Sequence, residues 1–251
     1  MKLTFPPVPL KVICLNIEKD RHLDRIVPFL SREMPDVFCA QEVYESSIPV
    51  IAEALSGAEY VYAPMTGRPK ESLPQMQGVA IFSRLPVKAQ SVRYYVGRPD
   101  TVPDSDDNDP LTYNASNRMV VLCDIEKEGQ LFRVGTTHFT LTPDGEPTDG
   151  QRSDMKALIA LFSDAEEFIL AGDFNVSRGG ELFGALAQRY KDNVPPHYTT
   201  SIDGNLHRKG QLNRMVDGIF STPRYTVSDV EMISGVSDHC ALVAKISTAQ
   251  N

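Results

Sequence analysis

Tryptophan is absent from this chain of 251 residues, so any surface for stacking a flat ligand must come from its 9 Tyr and 11 Phe. Cysteine is scarce as well. The four residues sit in short apolar runs ("KVICLN", "DVFCAQ", "VVLCDI", "DHCALV"), with no CxxC pair and no Cys/His spacing suited to zinc. That pattern predicts four buried free thiols rather than a disulfide framework. No apolar stretch is long enough to span a bilayer, and the first residues lack the charged head and apolar run of a secretion signal. A cytoplasmic protein with no membrane contact is expected. Positive charge is also in short supply: 25 Lys and Arg stand against 33 Asp and Glu, a net −8 at pH 7. This disfavours tight, non-specific binding to duplex DNA. A carboxylate-rich metal site would carry charge of the same sign, and bound cations would offset it, so a polyanionic substrate stays open.

What is present is an ordinary globular composition, 41% hydrophobic and 23% charged, consistent with a single domain over 1–251 and a monomer. Strand-like runs recur: "LKVICLNI", "DVFCAQEV", "GVAIFSR", "RMVVLCDI", "LFRVGTTHFT", "EFILAGDFN", "MVDGIFST" and "CALVAKI". Several are almost continuously apolar, as strands covered on both faces are. Helical spacing appears in Leu23, Ile26, Val27 and Leu30, ended by Pro35, and again over residues 150–164 with Met155, Leu158, Ile159 and Phe162. A third helix is expected over 180–190. Strands outnumber helices and often follow one another directly, so mixed sheets packed face to face with helices outside fit better than a doubly wound parallel sheet. Residues 97–117, rich in Pro, Asp and Asn, form a long polar loop.

Polar residues collect where the apolar strands stop. Asn16 closes the first run, Gln41 and Glu42 the second, His138 the fifth, and Asp173 with Asn175 the sixth. Asp217 lies in "NRMVDGIF", while Asp238 and His239 open the last run. Alone, each reads as a turn residue or a chain reaching water. Along an extended strand, Asp173 and Asn175 project to the same side and Phe174 to the other. Together the group offers hard oxygen donors with few imidazoles, which suits Mg²⁺ or Mn²⁺ better than zinc. An Asp paired with a His near a metal can stabilise phosphoryl charge and move protons.

The motifs "LNIE", "DVFCAQEV", "GVAIFSR", "THF", "AGDFN", "RMVDGIF" and "SDHCALV", in this order and over nearly the whole chain, resemble the endonuclease/exonuclease/phosphatase superfamily. The resemblance implies a four-layered α/β sandwich, with two central mixed β-sheets flanked by helices and an active site at one edge of the sheets. It implies a Mg²⁺-dependent phosphoric ester hydrolase, with Mn²⁺ a possible substitute. Carried over residue by residue, Glu42 is the principal metal ligand, Asn16 helps bind the metal or the phosphate, and Asp238 is a further acid near the metal. Asp173 orients or deprotonates the attacking water, and Asn175 holds the water or a phosphoryl oxygen. His239 donates to the phosphate as charge develops, and Asp217 fixes its tautomer. His138 matches a second histidine, a phosphate contact or general acid. Glu18 reads equally as a further ligand or a solvated residue, and His22, His197 and His207 match no motif and read as surface residues.

The substrate is less sharply marked. The basic segment 205–214 places Arg208, Lys209 and Arg214 before Asp217, as a solvated loop or a grip on phosphate. Arg68, Lys70, Arg118 and Arg152 are weaker candidates of the same kind. The compact stretch from His138 to Asn175 resembles the tyrosyl-DNA phosphodiesterase type 2 and deoxyribonuclease-like members more than the sphingomyelinases. The leading expectation is a phosphodiesterase acting on nucleic acid or its ends. The alternatives are a phosphatase or phosphodiesterase for an inositol phosphate, nucleotide or lipid headgroup, or a non-catalytic binding module on the same fold.

Overall fold

The computed structural model of the chain describes residues 8–248 except positions 72, 107, 110, 114, 143 and 144, three of which fall in the expected 97–117 loop. One sheet contains β1 (Leu10–Asn16), β2 (Val37–Tyr44), β3 (Glu59–Arg68), β4 (Gln75–Ser83), β11 (Tyr225–Ile233) and β12 (Ala241–Thr248), in the order β11-β12-β1-β2-β4-β3. The other contains β5 (Val87–Val96), β6 (Arg118–Lys127), β7 (Gln130–His138), β8 (Ile169–Asp173), β9 (Lys191–Asp192) and β10 (Asp217–Ser221), in the order β5-β6-β7-β8-β10-β9.

Both sheets follow one plan. Each has a single parallel pair at its centre, β1/β2 and β7/β8, and antiparallel neighbours on either side. A parallel pair cannot be closed by a tight turn, so the chain crosses through a helix. The crossovers are α1 (Leu23–Glu33) and α3 (Asp149–Ala160). Asn16 lies in register with Gln41, and His138 with Asp173, so the polar residues ending each parallel pair emerge at the same edge of their sheet.

Side-chain alternation builds the layers. Along β1, Val12 and Cys14 point between the sheets, while Ile13 and Leu15 pack with Ile26, Phe29 and Leu30 of α1 and Ile48 and Ile51 of α2 (Ile48–Ala54). Along β6, Met119, Val121 and Cys123 enter the inter-sheet core, and Val120 and Leu122 meet α3 and α4 (Glu181–Ala187). The result is the four-layered α/β sandwich, helices outside both sheets. All four cysteines are buried and free, as expected.

The helix expected over 150–164 ends earlier, at Ala160. Phe162 still serves the core from beyond it, stacked on Phe168 at 4.0 Å between ring centres. Among the described residues, no helix is long and apolar enough to cross a membrane.

Candidate active site

Local backbone features aim the polar side chains. The pairing of β2 with β4 slips between Ala40 and Val43, and Glu42 has a φ of +56°. Ala40 and Val43, three residues apart instead of two, therefore both face the helices. This bulge frees Glu42 from the ladder and turns it towards the sheet edge. Gln41 points inward and is fully buried, with its Nε2 donating to Thr136 Oγ1 at 2.8 Å. It is a strut between the two sheets, and nothing in the motif alone distinguished it from a ligand.

On β8, a Cβ added at Gly172 would lie 2.2 Å from the Thr137 carbonyl oxygen, so only glycine lets β8 approach β7 closely enough to set Asp173 beside His138. The strand then ends at Asp173, earlier than the sequence implied. Asn175 has a φ of +52°, its N–H donates to Asp173 Oδ1 at 2.8 Å, and its Nδ2 donates to the Phe139 carbonyl at 3.0 Å. The expected strand alternation between Asp173 and Asn175 thus gives way to a turn closed by the aspartate itself. Both residues nonetheless line the same cavity. Phe174 anchors the turn edge-on against Phe220, 5.1 Å between centres.

Asp217 opens β10 directly opposite Asp173. Its position is set by Ser201, whose Oγ accepts from the N–H groups of Val216 and Asp217, both at 3.1 Å. His239 sits before β12, bridged to Ile202. Its Nδ1 lies 2.7 Å from Asp217 Oδ2, and its Nε2 lies 3.9 Å from Asp173 Oδ2. From the other sheet, Asn16 Nδ2 reaches Asp173 Oδ2 at 3.1 Å and Glu42 Oε1 at 3.3 Å. His138 Nε2 stands 3.5 Å from Asp173 Oδ2 and 3.9 Å from Glu42 Oε1.

Two buried carboxylates facing each other on neighbouring strands repel, and His239 between them answers that repulsion. Burial alone would pull its imidazole down, but Asp217 and Asp173 together hold it well above the ordinary histidine range. The two carboxylates favour the imidazolium form, in which Nδ1–H is directed to Asp217 and Nε2–H faces the cavity beside Asp173. Asp173 is pushed up by burial and by Asp217, against the pull of the two histidines. Burial lowers His138 to about 3, so its ring is neutral at pH 7 and can act as a hydrogen-bonding group, not a resident cation.

These residues converge on a cavity of about 220 Å³. Asn16, Glu42, His138, Asp173, Asn175, Asp238 and His239 line it, and Asp217 stands behind His239. Of the basic candidates, Arg208, Lys209, Arg214, Arg68 and Arg118 line it too. Arg118 is nearly buried and donates from Nη1 to the His138 and Phe139 carbonyls, both at 3.1 Å, holding the end of β7. Lys70 and Arg152 lie elsewhere, paired with Asp106 and with Glu181 and Asp149. His207 is half-buried on the cavity wall, and His22 is largely buried against Glu18, so neither is the surface residue expected from sequence. His197 is exposed. The 97–117 segment supplies Tyr113 and Ser116 to the wall.

The donor set fits a hard divalent cation. Asp238 is pushed up to about 6 by burial, with Glu42 and Glu18 adding repulsion. Carboxylates gathered in this way are what a bound cation relieves. The metal-free protein should show it in its stability. Native Asp238 keeps its proton to about pH 6, whereas the unfolded chain releases it near pH 4, so its contribution to stability falls as pH rises between about 4 and 6. His138 runs the other way: neutral in the native state down to about 3 but protonated near 6.5 when unfolded, it costs stability as pH falls through that range. Asp238→Asn is therefore expected to raise metal-free stability at pH 7 by on the order of 2 kcal/mol and to steepen its rise with pH. Denaturant melts in chelator across pH 4–8 check this, and a variant less stable than the parent at pH 7 would contradict it.

A family model for the endonuclease/exonuclease/phosphatase family matches residues 14–239. The chain belongs to that family. No curated protein matches it. Solved structures share its fold at low identity. The endonuclease/exonuclease/phosphatase of Bacteroides vulgatus aligns with a TM-score of 0.72 at 17% identity, covering 96% of this chain and 100% of that one. The catalytic domain of human Nocturnin, solved with a bound sulfate anion, aligns at 0.71 and 17%, covering 97% and 94%. A mannosyl-6-phosphatase of Bacteroides thetaiotaomicron aligns at 0.68 and 16%, covering 95% and 99%.

Proposed function

We propose that this chain hydrolyses phosphate esters with a divalent cation, Mg²⁺ or Mn²⁺, held by Glu42, Asn16 and Asp238. The observation that carries this is the meeting of the Asp217–His239 pair and Asp173, from one sheet edge, with Asn16 and Glu42 from the other, in one cavity. When bound, the cation would supply Lewis-acid polarisation and offset the charge of the phosphoryl oxygens. The chain's own groups do the rest. Asp173, fixed by the Asn175 N–H and the Asn16 amide, orients the attacking water and takes its proton. His239 donates from Nε2 to a phosphoryl oxygen as negative charge builds, while Asp217 holds the ring in place. Asn175 has one Nδ2–H left after its bond to Phe139, and His138 offers a neutral N–H, both available to phosphoryl oxygens.

The wall beside the site bears on the substrate. Pro103, Ser105 and Asn117 of the 97–117 segment are pinned along β3: Gly67 N–H donates to Pro103 O at 2.9 Å, Ser105 N–H to Gly67 O at 2.9 Å, and Asn117 N–H to Met65 O at 2.9 Å. Thr66 Oγ1 lies 3.0 Å from both the Pro103 and Ala115 carbonyl oxygens, either of which can accept its one proton. Tyr113 and Ser116 then stand at the cavity. A wall there favours a phosphate presented at an end, either a nucleic-acid terminus or a small phosphate ester, over a bond inside a duplex. The similarity to a mannosyl-6-phosphatase supports the small-ester version, and Arg208, Lys209 and Arg214 on the wall support the nucleic-acid one.

A double substitution separates them. Arg208→Gln with Lys209→Gln is expected to lower turnover of an oligonucleotide end several-fold, with a flattened salt dependence, and to leave a small monoester nearly untouched. Hydrolysis confined to small soluble phosphates, with strand ends intact, would rule out the nucleic-acid version.

A further inference from the structure

The loop between β1 and α1 brings a further set of donors to the rim of the same cavity. Glu18, His22 and Asp238 each offer one ligand atom, and the three atoms lie within 4.8 Å of one another. Glu18 Oε2 and His22 Nε2 are 2.9 Å apart, and both side chains are 14% exposed. That separation is close to the edge of a coordination octahedron with bonds of about 2.1 Å. The loop holds its shape without help from an ion: Glu18 N–H donates to Asn16 Oδ1 at 3.1 Å, and the His22 carbonyl accepts from Arg25 and Ile26 N–H at 2.9 Å.

The third member supplies the independent observation. Asp238 is 7% exposed, and the one hydrogen bond its side chain makes among the described residues is from Ser237 Oγ to Oδ1 at 3.3 Å. One of its carboxylate oxygens lies within 4.8 Å of the Glu18 and His22 donor atoms, and Oδ2 accepts no hydrogen bond among the described residues. A largely buried carboxylate that lines the cavity beside Glu18 and Glu42 is a place where a cation is favoured.

We propose that His22 is a metal ligand, its Nε2 completing with Glu18 and Asp238 a divalent-cation site beside Glu42. The inference rests on a cation being bound next to Asp238, as proposed above, and adds an imidazole to what would otherwise be an all-oxygen set. Oxygen donors alone suit Mg²⁺; one imidazole tilts the preference towards Mn²⁺ and the later first-row ions. The chain would then discriminate among cations through a residue that no catalytic motif contains. Arg21, 3.0 Å from Glu18 Oε1, leaves Oε2 for the ion.

The test uses the full chain with Mn²⁺ alone, read by pulsed paramagnetic resonance. Wild-type protein is expected to show the ¹⁴N coupling of a directly bound imidazole. His22→Gln should abolish it and His138→Gln should keep it. Mn²⁺ affinity should fall on the order of tenfold or more in His22→Gln, with a smaller loss for Mg²⁺ measured by competition. Thermal melts verify that both variants are folded. Bound Mn²⁺ without nitrogen coupling, or with coupling that survives His22→Gln, overturns the assignment and leaves the hydrolytic reading intact. Failure of the wild-type chain to bind Mn²⁺ or Mg²⁺ at all overturns both.

Discussion

Asp173→Asn is expected to lower kcat/KM for any phosphate ester the chain accepts by on the order of 10⁴, with the protein fully folded. The carboxylate is 1% exposed and receives hydrogen bonds from the Asn175 N–H and the Asn16 amide, so its orientation is set before substrate arrives. Asparagine keeps the shape and the turn but cannot take a proton from water. Stability should not suffer. The substitution removes one of two buried carboxylates that face each other across β8 and β10, which relieves repulsion and desolvation. Steady-state kinetics beside a thermal melt give the answer. A variant that retains activity within a few-fold removes Asp173 from the chemistry.

Asp217→Asn should be nearly as damaging, a loss of about 10² to 10⁴, by a different route. Asp217 does not line the cavity; in the proposed mechanism it acts through His239, 2.7 Å away. With an amide in its place, the carboxylate that most strongly holds the imidazole protonated is gone, and burial is left to pull the ring down. His239 then presents Nε2 without its proton to a phosphoryl oxygen over much of the neutral range. The expected signature is a pH–rate profile whose descending limb moves to lower pH, with KM changed less than kcat. A merely structural role for Asp217 would lower activity equally at all pH values. Titration of the His239 ring by NMR in parent and variant reports the same shift directly.

The parts of the fold that were legible in sequence share one property. The eight apolar runs quoted from the sequence correspond to β1, β2, β4, β6, β7, β8, β10 and β12, all of them inner strands. The strands that were missed, β3, β5, β9 and β11, are the outermost strands of the two sheets. An inner strand is covered on both faces and must be apolar almost throughout, whereas an edge strand meets water and carries polar residues. β5 exposes Lys88, Ala89, Gln90 and Ser91 in succession, and β3 contains Pro64, which cannot donate to a ladder and is tolerated at an edge.

The site divides in the same manner. Asn16, His138 and Asp173 were readable because each ends a strand of a central parallel pair, where the chain must surface. The aim of Glu42 depends on a bulge, and that of Asn175 on a left-handed turn, and period-two alternation cannot express either. The strut role of Gln41, and the part played by Ser201, were not legible for another reason. Their work is long-range, joining segments far apart in the chain, as Gln41 meets Thr136 and Ser201 meets Asp217.

Hydrolysis of a generic phosphate ester by purified chain, with and without chelator, beside the Glu42→Ala variant, tests the central claim most directly. Added Mg²⁺ or Mn²⁺ should restore turnover to the chelated wild-type chain and fail to restore it to Glu42→Ala, while both stay folded. Turnover that survives chelation, or that Glu42→Ala retains with the same dependence on metal, would contradict it.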